Sequence, residues 1–202
     1  MGWHGAFEAL AMLAGFQLFL RARRRGGDAL GGSERLWVLV GAAAGALLGA
    51  RGLGLLEHRA DVRLDASLPL VVLSTKSIVG GLLGGWIGVE LAKRRLGIAR
   101  STGDALVEPL LVAIAIGRVG CHLAGVHDGT HGVPTDCPWA LDLGDGVRRH
   151  PTALYEIAFL ACLGVALRVS GPAPAGPRFT RILGAYLAFR VAVEFLKPVP
   201  PW

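Results

Sequence analysis

Apolar runs of membrane-spanning length alternate with short polar or basic clusters along this chain. The runs cover about 4–20, 37–56, 68–92, 104–121, 152–169 and 180–196. Each has roughly the 17–25 residues that a helix needs to cross a bilayer. The pattern predicts an all-α integral membrane protein of about six transmembrane helices, forming one membrane domain over residues 1–202. Between the fourth and fifth runs lies a polar segment, 122–151, rich in Gly, Asp and His. It is too short for a core of its own and is expected to form a short extracytoplasmic cap lying on the membrane.

Orientation follows from the basic clusters. RARRR (21–25), KRR (93–95) and RFTR (178–181) each sit at the end of an apolar run. Lys and Arg favour the cytoplasmic side, which predicts the N-terminus, the C-terminus and the cap on the opposite, extracytoplasmic side. EHRADVRLDAS is then an outer loop, and GPAPAGPRFTR an inner turn broken by Pro and Gly. The first apolar run has no basic region before it and is followed by arginines, so it is expected to stay in the membrane.

Composition strengthens this picture. The chain is 52% hydrophobic and 18% charged, with a mean hydropathy of +0.50. Soluble domains carry about 25% charged residues. The 30 glycines show no collagen-like period; in membrane helices they let backbones approach closely. A net charge of +6 raises nucleic acid as a partner. The basic residues cap apolar runs instead of lining a soluble face, which argues against it. Of three cysteines, Cys162 lies in an apolar run and reads as a small buried residue. Cys121 and Cys137 would pair only in an oxidising compartment.

Arg51, Lys76, Glu108, Arg118, Arg190 and Glu194 fall within or near predicted spans. An ionisable group there costs about 2.5–3.5 kcal/mol or more on insertion scales. Snorkelling to the interface accounts for Lys197 and Arg181, and is an alternative for each of the others. The set is more telling than its members. Arg51, Arg118 and Arg190 each approach the outer end of a different helix, and three converging guanidiniums repel unless an anion sits among them. The guanidinium fork suits phosphate, and a phospholipid head group supplies one. Glu194, four residues after Arg190, shares its helical face and would steady it. The residues thus predict a phosphate-holding cavity open to lipid.

Four strings, in order, carry a resemblance: GRVG (117–120), PW (138–139), HPTALYE (150–156) and FRVAVEF (189–195). Together they resemble the bacterial prolipoprotein diacylglyceryl transferase family. The resemblance implies an inner-membrane helical bundle with its site on the periplasmic face. It implies transfer of the diacylglyceryl group of phosphatidylglycerol to a cysteine thiol of a lipoprotein precursor, with release of glycerol phosphate and no cofactor. That chemistry needs cationic donors on the leaving phosphate and a group that takes the thiol's proton. By the resemblance, Arg118 and Arg190 hold the phosphate with Arg51 behind them, and Glu194, Tyr155, Glu156 and His150 orient the site and its cap.

The chain departs from the family at several points. The histidine of the family's Ser-x-His-Gly-Gly string is Val79 in Ser77-Ile78-Val79-Gly80-Gly81. Lys76, expected one helical turn away, is either a base with a pKa lowered by burial or a further phosphate ligand. The family's Asn-Phe-x-Asn-Gly-Glu becomes CHLAGV (121–126), and its first-span tyrosine becomes His4. The chain stops where the family's seventh span would begin. Cys121, His122, His127, His131 and Cys137 share one short window. They are metal-ligating residue types, but C-H-x4-H-x3-H-x5-C matches no structural zinc spacing. The alternatives are a polar cap with backbone-bonded histidines, or a relocated acid–base role for His122 or His127. Cys121 is either a nucleophile with a thiol pKa lowered by its neighbouring arginine or a small residue at a helix end. Asp128, Asp136, Asp142 and Asp145 read as solvated loop residues, with replacement of the lost acidic group as the alternative for Asp128. Three functions follow: a transferase on an anionic phospholipid with a lipoprotein or peptide acceptor, a related enzyme with a Cys/His metal site, or a non-catalytic lipid-binding protein.

Overall fold

A computed structural model describes residues 2–26, 30–57, 72, 75–170 and 177–198, without the side chains of 2, 3, 26, 127, 128 and 177. Among these residues the chain forms six long helices: α1 (Gly2–Gly26), α2 (Gly32–Glu57), α3 (Ile78–Arg95), α4 (Val107–Ala124), α5 (Thr152–Val169) and α6 (Pro177–Glu194). The architecture is that of an α-helical integral membrane protein. Helices α1, α2, α4 and α5 are long and apolar enough to cross a membrane. Helices α3 and α6, expected as spans three and six, are less apolar: α3 contains Glu90, Lys93, Arg94 and Arg95, and α6 contains Arg178, Arg181, Arg190 and Glu194.

The helices gather into two compact units, one of 1–27 with 101–199 and the other centred on Asp28–Arg100. In the first, α1 runs antiparallel to α4. Gly15 faces Ala113 and Pro109, and Gly120 faces Phe7, where a methyl group would run into the Phe7 Cβ. A 3-10 turn, Asp104–Leu106, leads into α4, and the Asp104 carboxylate accepts the Phe179 amide at 3.0 Å, tying α6 to that end. Phe159 of α5 stacks on Phe189 of α6 with ring centroids 4.2 Å apart. Helix α4 stops at Gly125, whose φ of +65° an L side chain rarely adopts.

The cap follows. A 3-10 turn, Gly125–Asp128, precedes a two-stranded hairpin, β1 (Leu141–Asp142) with β2 (Arg148–Arg149), which pairs antiparallel. The Asp142 carboxylate accepts the amides of Gly144, Asp145 and Gly146 and so forms the hairpin's turn. Arg148 reaches the carbonyls of Cys137, Pro138 and Ala140. Beside the hairpin, the Val133 amide donates to the Leu196 carbonyl at 2.8 Å, and Gly132 and Val133 pair with His150. The cap is therefore fastened to the C-terminal end of α6 and the start of α5.

In the second unit, α2 and α3 pack antiparallel along glycine rows, Gly41, Gly45 and Gly49 against Gly88, Gly84 and Gly80. The third apolar run was expected as one helix over 68–92. Its described part differs: α3 begins only at Ile78, and 75–77 are non-helical. Ser77 is the reason. Its hydroxyl accepts the Gly80 amide as the N-cap and donates to Glu57 at 2.8 Å. Residues 58–71, 73–74, 171–176 and 199–202, which include most of the expected outer loop EHRADVRLDAS and part of the expected inner turn GPAPAGPRFTR, lie outside the described residues.

Candidate functional site: a buried ionic cluster at the capped end

Three helices of the first unit deliver ionisable groups to the end that carries the cap. Arg118 lies near the end of α4, Glu156 in the opening turns of α5, and Arg190 near the end of α6. The Glu156 side chain is only 2% exposed and each guanidinium 10%. Arg118 Nε approaches Glu156 Oε1 at 2.9 Å, and Arg190 Nη1 approaches Oε2 at 2.9 Å. The Tyr186 hydroxyl, one turn before Arg190, donates to Oε1 at 2.6 Å. A buried carboxylate is expensive unless paired and hydrogen-bonded; three donors meet that condition.

The cluster continues toward the surface. Glu194, 64% exposed, sits 3.8 Å from Arg190 Nη2, and the same oxygen lies 3.1 Å from Lys197 Nζ. Lys197, Glu194, Arg190, Glu156 and Arg118 therefore form one connected chain, and at its buried end two guanidiniums against the single Glu156 carboxylate leave one positive charge. Arg190 Nε is buried without a hydrogen-bond partner. Such a donor is costly to leave unmet, which points to an incoming acceptor.

The other candidate residues are distributed as follows. Cys121 Sγ lies 3.8 Å from Arg118 Nη1, and His122 sits half-buried beside it in the last turns of α4. His150 Nδ1 is 3.0 Å from the Tyr155 hydroxyl, which accepts the indole N–H of Trp139 at 2.7 Å. His4 Nε2 is 3.4 Å from Glu8 on α1. His131 is half-buried, and its Nδ1 has no hydrogen-bond partner.

Among the described residues no three His, Cys, Asp or Glu groups of the window from Cys121 to Cys137 come together. Cys121 turns to Arg118 and Cys137 takes the Thr135 hydroxyl at 3.3 Å; no disulfide joins the cysteines, and the side chains of His127 and Asp128 lie outside the described residues. Lys76 was expected on a helical turn, but it belongs to the non-helical 75–77 segment and is exposed. In that unit Arg51 Nη1 donates to the carbonyls of Val72 (2.9 Å) and Thr75 (3.2 Å). Finally, Lys197 does not snorkel into water: its side chain is 15% exposed and held by Glu194.

Tyr186 and Lys197 were not singled out as site residues from sequence. A tyrosine within an apolar helix needs a partner for its hydroxyl, and that was the available signal.

Fold and cluster define a helical membrane protein with a buried cluster of two guanidiniums on one carboxylate where α4, α5 and α6 meet. Comparison with known proteins gives the family. Residues 1–200 match the model of the prolipoprotein diacylglyceryl transferase family. A phosphatidylglycerol–prolipoprotein diacylglyceryl transferase of Geobacter sulfurreducens is 31% identical over 206 residues, covering 96% of this chain and 77% of that protein. Its counterpart from Dehalococcoides mccartyi is 29% identical over 210 residues with the same coverage. The protein of that name from Streptomyces griseus is 36% identical over 131 residues, 59% of this chain and 39% of that one. The chain belongs to the prolipoprotein diacylglyceryl transferase family and is a membrane transferase of lipoprotein biosynthesis.

Proposed function

We propose that this chain moves the diacylglyceryl group of an anionic phospholipid of the phosphatidylglycerol class to the thiol of a lipoprotein precursor. Arg118 and Arg190 hold the phosphate, and the capped end of the bundle faces the periplasm, with both termini on that side. One observation carries this reading: two guanidiniums, locked on Glu156, retain a surplus positive charge and an unmet Arg190 Nε donor in a nearly dry site. Charge-assisted donors held in place before the reaction stabilise the charge that grows on a departing phosphate. The names of the relatives support the donor and the acceptor.

Glu156 and Tyr186 hold the two arginines in place. Tyr155, His150 and Trp139 fasten the cap, and Glu194 steadies Arg190 from the surface. Arg51 is given the role of a brace for the segment bearing Lys76.

The test is Arg190→Ala and Arg118→Ala in the full chain, reconstituted with phosphatidylglycerol and a cysteine peptide. Each is expected to lower glycerol phosphate release about 100-fold or more, as for loss of a preorganised oxyanion donor. Phospholipid that co-purifies with the wild-type protein should be depleted in both variants. Wild-type rates in either variant would remove the arginines from the site. Lipid retention by a wild-type protein without turnover would instead favour a lipid-binding protein.

A further inference from the structure

Transfer to a thiol needs a group that can hold the thiol's proton, and the groups around Arg190 narrow the choice. Arginine stays protonated at any working pH. The two Glu156 oxygens already accept from Arg118, Arg190 and Tyr186. The Tyr186 hydroxyl is itself a donor to that carboxylate. Cys121 Sγ is already engaged by the Arg118 guanidinium at 3.8 Å. Glu194 is mostly in water and already shared between two cations, Arg190 and Lys197. Val79, in the string where the family's histidine is expected, has no basic atom.

Lys197 belongs to the cluster itself, and its setting suits the task. Its Nζ touches Glu194 at 3.1 Å, and through that carboxylate it adjoins Arg190. Its side chain is largely buried, so its amine is sheltered from bulk water. The charged groups acting on it are Arg190 and Glu194 from α6 and Arg118 from α4. From the cap, the Val133 amide donates to the carbonyl of Leu196, the residue before Lys197, and His131 lies two residues before Val133 in the chain. Burial draws the ammonium below the usual lysine range; Arg190 and Arg118 add to this, and Glu194 opposes it.

We infer that Lys197 is the proton acceptor of the transfer reaction. The inference rests on the reading of Arg118 and Arg190 as the phosphate site. Neutral Nζ takes the proton from the acceptor thiol, and the thiolate sulfur bonds to the glycerol carbon that carries the phosphate. The carbon–oxygen bond breaks, and its electron pair leaves on the oxygen of glycerol phosphate. The donor phosphate goes from one negative charge to two while Lys197 becomes an ammonium, so charge is conserved within the cluster and the new cation forms beside the new anion.

Full-length protein in nanodiscs containing phosphatidylglycerol, supplied with a cysteine peptide, tests this through glycerol phosphate release across pH. Lys197→Arg keeps the cation and removes the base. It is expected to lower kcat about 100-fold or more, the range of general-base catalysis, with KM for lipid within a few fold. Lys197→His is expected to retain turnover, with the acid limb of the rate profile moved toward the imidazole range. Wild-type kcat and an unmoved limb in Lys197→Arg would overturn the inference. So would a Lys197→His variant with the wild-type limb, which decides the matter should the arginine variant fail to fold. Failure of the phosphate reading shows separately: Arg190→Ala would then leave lipid retention and KM unchanged.

Discussion

Replacing Glu156 by alanine is expected to cost the protein about 3–5 kcal/mol and to end turnover, because it leaves two buried guanidiniums without their shared anion. The carboxylate, 2% exposed, receives Arg118, Arg190 and the Tyr186 hydroxyl. Removing it exposes the cations to each other in a low-dielectric site, where repulsion is weakly screened. Glu156→Gln is the informative neighbour: it keeps the shape and one acceptor oxygen but not the charge, and should fall between wild type and alanine. Adding Arg190→Met to Glu156→Gln removes a cation together with the anion and should recover stability while turnover stays lost. Thermal unfolding in detergent, followed by size-exclusion chromatography, reads the first quantity, and glycerol phosphate release the second. An alanine variant as stable as the wild type would mean that the three side chains do not hold the helices together.

The same cluster marks how far a sequence reading reaches. Arg118 and Arg190 stand out because an arginine in an apolar run demands an explanation, and their convergence follows from helix direction. The immediate anion between them is the chain's own Glu156, which the resemblance assigns to orienting the site and cap. Its position early in the fifth apolar run carries the same signal as the arginines: a charge in hydrocarbon finds a partner of opposite sign. Lys197 was lost to the opposite error. A lysine at a span end reads as snorkelling, and only the fold of the cap over Leu196 shows that water is largely kept from it. The start of α3 was misplaced because hydropathy averages over Ser74, Thr75, Lys76 and Ser77, whereas a serine that caps a helix acts through one hydrogen bond. The hairpin rests on the glycines of LGDG and the amides gathered by Asp142, too local a pattern for apolar spacing to reveal.

Gly84→Val is expected to break the α2–α3 pair and leave little protein in the monodisperse, correctly folded fraction. A Cβ at Gly84 would run into the backbone of α2, meeting the Gly45 carbonyl oxygen and the Gly49 Cα; a Cβ at Gly45 would meet the Gly84 carbonyl in return. The obstacle is backbone on both sides, so no rotamer change relieves it, and the helices must separate along the row that also joins Gly41 to Gly88 and Gly49 to Gly80. Overpacking a tight core costs about 1–3 kcal/mol when side chains can adjust, and here they cannot. In a bilayer the loss is compounded, since close van der Waals contact is a main force holding such helices together. Gly52→Ala is the control on the partner helix α2, where a Cβ meets nothing within 4 Å. It should match or slightly exceed the wild type in melting temperature, because alanine is the better helix former. Equal loss in both variants would show that glycine content as such, and not the contact between α2 and α3, is what the unit needs. Loss confined to Gly84→Val ties its stability to that one seam, and with it the placement of Ser77 and Lys76 at the head of α3.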